Sequence, residues 1–155
     1  MKIYIASSWK NKEDVTRMAK HLRGFGCIVD DFTDDSQGRF TFSLEDLENI
    51  LDNDRIISSS SHARVIKAMN HEMSKRAFQQ DKSMIEWADV LILLLPCGKS
   101  AHMELGYAKG LGKKIIIFSH NGFTMDDFEV MYGFADLITY SGLELFDKLR
   151  EWSSD

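Results

Sequence analysis

A chain of 155 residues, 44% hydrophobic and 28% charged, has the composition of one soluble globular domain with room for a sizeable core. Its net charge of −5, with no basic block set against it, excludes a protein whose main task is to grip a nucleic acid polymer. The two cysteines, Cys27 and Cys97, lie far apart in apolar settings and make neither a disulfide scaffold nor a zinc cluster.

Met1-Lys2 runs directly into an apolar strand, Lys2 to Ala6 (KIYIA), without the layout of a signal peptide. Residues Lys12 to Gly24 repeat apolar side chains at Val15, Met18, Ala19 and Leu22, a helical spacing, and Gly24 and Gly26 stop the helix. Cys27 to Val29 begins a second strand, so the chain opens as a βαβ unit with parallel strands and a right-handed crossover. From Asp31 to Ser61 the sequence is polar, acidic and serine-rich ("DDFTDDSQGRF", "ISSSSH"), with one weak helix over Leu44 to Leu51. It reads as a long excursion over the sheet edge, of the kind that forms lids.

Ala63 to Gln80 reads as a helix with Val65, Ile66, Met69, Met73 and Ala77 on one face, and Ile85 to Ala88 as a further turn. Val90 to Leu95 is a buried strand, too short to cross a bilayer. A helix from Ala101 to Leu111 follows, then a strand over Ile115 to Phe118. Met125 to Phe134 reads as helical, Leu137 to Thr139 as a last short strand and Leu143 to Trp152 as a closing helix. The expected architecture is α/β, a flavodoxin-like (Rossmann-like) doubly wound sheet of five parallel strands in order 2-1-3-4-5, as a single domain over residues 1–155 in the cytoplasm.

In such a sheet ligands bind beyond the carboxyl ends of the strands where the order reverses, here between the first and third strands. The loops there are Ser7 to Asn11 (SSWKN) and Pro96 to Ala101 (PCGKSA). Each opens a helix whose first amides suit an anion or a sugar hydroxyl. With Ser100 as helix cap, the reciprocal capping residue is Met103, so Glu104 is not explained as a cap. On residue type alone Glu104 reads as a helix-start carboxylate, Asp81 as a solvated helix-end charge, Tyr4 as a core aromatic and Trp9 as packing. Asp89 reads as a structural strand-start residue. Ser100 and His102 lie in the loop that would surround a sugar or phosphate. "HEMSK" (His71 to Lys75) lacks the second histidine of a zincin, and "GYAKGLG" lies within and after a helix, so neither a metal site nor a dinucleotide fingerprint follows.

Three blocks, "KIYIASSWKN", "QQDKSMIEWADVLILLLP" and "HMELGYAKGLGKKIII", together resemble the nucleoside 2-deoxyribosyltransferase family in order and spacing. Residues 31–61 and the last third match only in outline. The resemblance implies cleavage of the N-glycosidic bond of a nucleoside or nucleoside 5′-monophosphate, by base transfer or hydrolysis, without cofactor or metal. It implies Glu104 as the nucleophile on C1′, Asp81 as the group handling the proton of the departing base, and Tyr4 as the hydroxyl orienting Glu104. It also implies a site loop of Ser7, Ser8 and Trp9, with Gly98, Ser100 and His102 around the substrate, and a homo-oligomer.

Two departures favour hydrolysis over transfer. Gly98 and Lys99 stand where the transferases carry an acidic residue, and no counterpart of their carboxy-terminal Asn and Met is visible around Phe128 to Val130. Lys10, Lys12 and Lys99 near the loops suit a phosphate. A sensor that binds a nucleotide derivative without turnover, and cleavage of the nicotinamide–ribose bond of NAD, are the alternatives.

Overall fold

The structure, a computed structural model, describes residues 1–34, 36, 38–52 and 61–154. Its contacts divide the chain into two compact units, Met1–Asp35 with Met84–Asp155, and Ser36–Ser83.

The first unit is built on strands β1 (Lys2–Ala6), β2 (Ile28–Asp30), β3 (Val90–Leu95), β4 (Lys114–Ser119) and β5 (Leu137–Thr139). All pairings are parallel and the order is β2-β1-β3-β4-β5, as expected from the sequence. Every residue of β3 is buried, which is what a central strand covered on both faces requires and why it reads as an unbroken apolar run. One face packs Ile3, Ile5, Ile92 and Leu94 against α1 (Lys12–Gly24) and α6 (Gly142–Ser153). The other packs Tyr4, Leu91, Leu93 and Ile117 against α5 (Lys99–Gly110) and Ile85 at the end of α4 (Glu72–Trp87).

Helix α1 buries Val15, Met18, Ala19 and Leu22, the four residues whose spacing announced it. Acidic Glu13 and Asp14 open it and His21 and Arg23 close it, matching the helix dipole. Gly26 turns the chain at φ +95°, a conformation that favours glycine. Beyond β2, Arg23 donates to Val29 O, to Asp31 at 2.8 Å and to Asp34 at 3.1 Å. Asp31 also accepts from the Thr33 amide at 2.9 Å, so its fully buried side chain is paired. Asp89 accepts from the Lys2 amide at 2.8 Å and holds two strand starts together, as expected.

The second unit holds α2 (Leu44–Asp52), α3 (Ser61–Asn70) and the first turns of α4. Ser43 and Asp46 form a reciprocal cap on α2, and the bonds from the Ser43 amide and hydroxyl hold the Asp46 carboxyl below its ordinary range. The single helix expected over Ala63 to Gln80 is two helices. His71 interrupts them, its Nδ1 accepting from the Met73 amide at 3.2 Å as a cap, while Asn70 turns back onto Ile66 O. The turn expected at Ile85 to Ala88 is the end of α4. Val65, Ile66 and Met69 face outward. Of the 31–61 excursion, residues 35, 37 and 53–60 lie outside the described residues, and with them most of "ISSSSH".

The stretch expected as a helix over Met125 to Phe134 is instead two short 3₁₀ turns, Met125–Asp127 and Val130–Phe134. A Thr124–Asp127 capping box starts the first turn, but the backbone is extended at Phe128 (ψ 124°) and Glu129 (ψ 123°), so the helix stops there and Glu129 caps a second turn. Among the described residues no helix is long and apolar enough to cross a membrane.

Candidate active site

The carboxyl ends of β1 and β3 lie side by side, and their loops are stitched together there. Ser7 Oγ donates to Leu94 O at 2.7 Å and accepts from Asn11 Nδ2 at 3.2 Å, and Asn11 reaches Leu95 O at 3.3 Å. Ser7, expected to bind substrate, therefore gives its one proton to the frame and can meet a ligand only as an acceptor. Asn11, which the sequence reading passed over, is buried and carries much of this junction.

Ser8 caps the 3₁₀ turn Trp9–Asn11 by accepting from the Lys10 amide at 3.2 Å. That lifts Trp9 into solvent, 52% exposed, with its ring tilted against Phe32 at 4.8 Å and the Lys12 ammonium 6.0 Å from its centre. A half-exposed indole does not serve as core packing. Its free surface is a wall on which a flat ring can stack.

Helix α5 begins one turn's edge earlier than expected, at Lys99, with Gly98 as its cap. Ser100 is an exposed first-turn residue, so the cap assigned to it moves to Gly98. Gly98 has no side chain to close the first amides, and a Cβ there would meet nothing within 4 Å at an ordinary φ of −95°. Neither packing nor backbone geometry asks for glycine at this position. What it leaves open is the positive end of the helix dipole.

Glu104 lies in the second turn of α5, half-buried. Tyr4, 3% exposed on β1, donates its hydroxyl to Glu104 Oε2 at 3.2 Å. This contact joins residues 100 positions apart, from a ring buried in the cluster that includes Ala6, Leu91, Leu93 and Leu105. Cys97 sits close enough that the Glu104 charge, after the larger effect of burial, helps push its thiol up to about 12. Cys97 is thus a protonated, inert thiol at neutral pH.

His102 is placed differently from the expectation. Nδ1 bonds Gly98 O at 2.9 Å and Nε2 bonds the Tyr132 hydroxyl at 3.1 Å, with the two rings parallel at 5.8 Å. The carbonyl makes Nδ1 the donor, so Nε2 accepts from Tyr132. Both ring nitrogens are engaged, and a ribose hydroxyl would have to displace one of them. Burial first, then Cys97 (charged only once it ionises in the same alkaline range) and the carboxylates Asp127 and Glu129, push the Tyr132 hydroxyl up to about 12, so it keeps its proton to donate. A cavity of about 610 Å³ opens on this flank, lined among others by Lys99, His102, Met103, Gly106 and Tyr132. These α5 residues share one helical stripe. Glu104, about 200° round the axis from His102, does not line it.

Asp81 belongs to the second unit. Its Oδ1 accepts from Arg39 Nη2 at 2.5 Å, a partner that no sequence pattern announced. Among the described residues no three His, Cys, Asp or Glu side chains group to hold a metal ion.

No protein-family model matches the chain, and no curated protein matches it in sequence. Solved structures do. The chain is similar to a 2-deoxyribosyltransferase from the psychrotolerant bacterium Bacillus psychrosaccharolyticus, at 21% identity and TM-score 0.61, over 95% of this chain and 91% of that one. It is also similar to a CMP N-glycosidase from Clostridium botulinum, at 17% identity and TM-score 0.53, over 98% and 99% of the two chains. At these identities the likeness is one of fold, and the chain shares the fold of both enzymes along nearly its whole length.

Proposed function

We propose that the chain is an enzyme of the nucleoside 2-deoxyribosyltransferase family that cleaves the N-glycosidic bond of a nucleoside or nucleoside 5′-monophosphate, by hydrolysis rather than base transfer. The observation that carries this reading is the Tyr4 hydroxyl on Glu104 Oε2 at the sheet's switch point, beside the uncapped start of α5. The two solved enzymes of the same fold, one a 2-deoxyribosyltransferase and the other a CMP N-glycosidase, support the same substrate class.

Glu104 attacks C1′ of the sugar as the bond to the base breaks, giving a glycosyl ester of the enzyme. Water then attacks C1′, the ester bond breaks and the Glu104 carboxylate is restored. Asp81 handles the proton that these steps exchange. Tyr4 donates to the oxygen of Glu104 that is not attacking and so fixes the direction of the other. Trp9 stacks on the base, Ser8 and Ser100 offer hydroxyls, and the open amides after Gly98 with Lys10, Lys12 and Lys99 receive a 5′-phosphate. His102 contributes by holding Gly98 in place.

The test is a panel of nucleosides, their 5′-monophosphates and NAD, each with and without an acceptor base, followed by chromatography of the released base. Release without acceptor, lost by at least about 10³-fold in Glu104→Gln, is the expected result. Equal release by Glu104→Gln overturns the mechanism. Binding without release from any member identifies a sensor, and release from NAD alone an NAD glycohydrolase.

A further inference from the structure

The segment 39–42 has no regular secondary structure, yet it is fastened to α4 at three points within the second unit. Gln80 grips the backbone of Phe40 from both sides, accepting from its amide at 2.8 Å and donating to its carbonyl at 3.0 Å, as a neighbouring strand would. Arg76, one turn earlier, places its guanidinium 4.2 Å from the centre of the Phe40 ring. Arg39 then meets Asp81 at 2.5 Å, with the Arg39 side chain only 7% exposed and that of Asp81 36% exposed. A guanidinium so nearly buried is costly unless paired, so the segment and the carboxylate hold each other in place.

The geometry points to Arg39 as the positioning residue for Asp81, holding its carboxylate in one direction, with Gln80 holding the backbone that carries Arg39. The inference rests on the reading of Asp81 as the proton-handling group. In contact with an arginine, a carboxylate is a proton acceptor before it is a donor. Among the described residues, the charged groups near this contact include Arg39 on Asp81, Arg76 on the Phe40 ring and Lys82 next in the chain.

The experiment is a carbon-13 titration of the Asp81 carboxyl, its resonance identified by loss in Asp81→Asn, run on the parent chain and on Arg39→Lys, Arg39→Met and Gln80→Met. Arg39→Met raises the midpoint by about one unit or more, and Arg39→Lys preserves most of the parent value. Gln80→Met, which removes no charge, moves the midpoint part of the way in the same direction, and it keeps the test decisive if Arg39→Met does not fold. The acid limb of the kcat–pH profile follows the same order, with KM little changed. A midpoint that stays at the parent value in the folded variants overturns the inference. A titration that follows Arg39 in a chain without activity on any nucleoside upholds the positioning and overturns the enzymatic reading.

Discussion

Tyr4→Phe removes one oxygen and leaves every carbon of the ring, so it isolates the contact with Glu104. The ring is 3% exposed and packed among Ala6, Leu91, Leu93 and Leu105, and phenylalanine fills the same space without a cavity. What is lost at Glu104 is a hydrogen bond to a carboxylate. At 3.2 Å it is long for an O–H donor, which places its stabilising value below the usual range for bonds to charged groups, at about 1 kcal/mol. An unfolding entropy near 2.1 cal/mol/K per residue gives about 0.33 kcal/mol/K for 155 residues, so the melting temperature should fall by about 3 °C.

Turnover should fall further than stability. If the hydroxyl fixes the attacking direction of Glu104, its loss raises the barrier by about 1.4 to 2.7 kcal/mol, a 10- to 100-fold drop in kcat with KM changed less than about twofold. Calorimetry and initial rates on the best substrate of the panel measure both quantities. Unchanged kcat in a variant that melts where the parent does would refute the positioning role of Tyr4. A fall of more than about 8 °C would show instead that the variant had repacked the face shared by β1 and α5, against the cavity-free substitution expected here.

Cys97, with its thiol pushed up to about 12 by burial and the Glu104 charge, should react with iodoacetamide at pH 8 at least about 100-fold more slowly than an exposed thiol; mass spectrometry of the digested protein reads the rate, and full modification within minutes would contradict it. Asp136 is held below the usual carboxylate range: burial works against this, but the Ile115 amide and Lys109 outweigh it. Its contribution is therefore present above the ordinary carboxylate pKa and lost as pH falls through the lowered one. Asp136→Asn should cost about 1 kcal/mol at pH 7, and in thermal melts the gap to the parent should close as pH falls through that lowered value. Met125, Phe128, Val130 and Met131 are all more than half exposed, and together they suit contact with a second copy of the chain. Light scattering at tens of micromolar, a concentration set by ordinary dimer affinities, should give about twice the chain mass, and Phe128→Asp should reduce it to the monomer.

Where a structural signal is local, the sequence carried it alone. The spacing of Val15, Met18, Ala19 and Leu22 with its glycine stop defines α1 to the residue, and the unbroken run Val90 to Leu95 defines β3, because periodicity and burial act on neighbours in the chain. Strand alternation with helices then leaves few parallel topologies to choose from, and the order 2-1-3-4-5 follows. Local signals failed where one side chain decides between two continuations of the same pattern. The helical period runs on through residue 71, and the Asn70 side chain on Ile66 O and the His71 ring on the Met73 amide mark the break between α3 and α4. The extended backbone at Phe128 and Glu129 likewise cuts one expected helix into two turns.

The candidate site divides in the same way. Its loops were legible, since the carboxyl ends of β1 and β3 at a reversal of strand order are where ligands bind. The individual side chains were not. By residue type Tyr4 is a core aromatic, and only the resemblance set its hydroxyl at Glu104. Folding decided that Ser7 gives its proton to Leu94, that His102 turns to Gly98 and Tyr132, and that Arg39 meets Asp81. These bonds join residues up to 100 positions apart, and a hydrogen bond between such residues leaves no periodic trace in either segment. Its partners are chosen by the packing of the sheet and its helices, which exists only once the chain has folded.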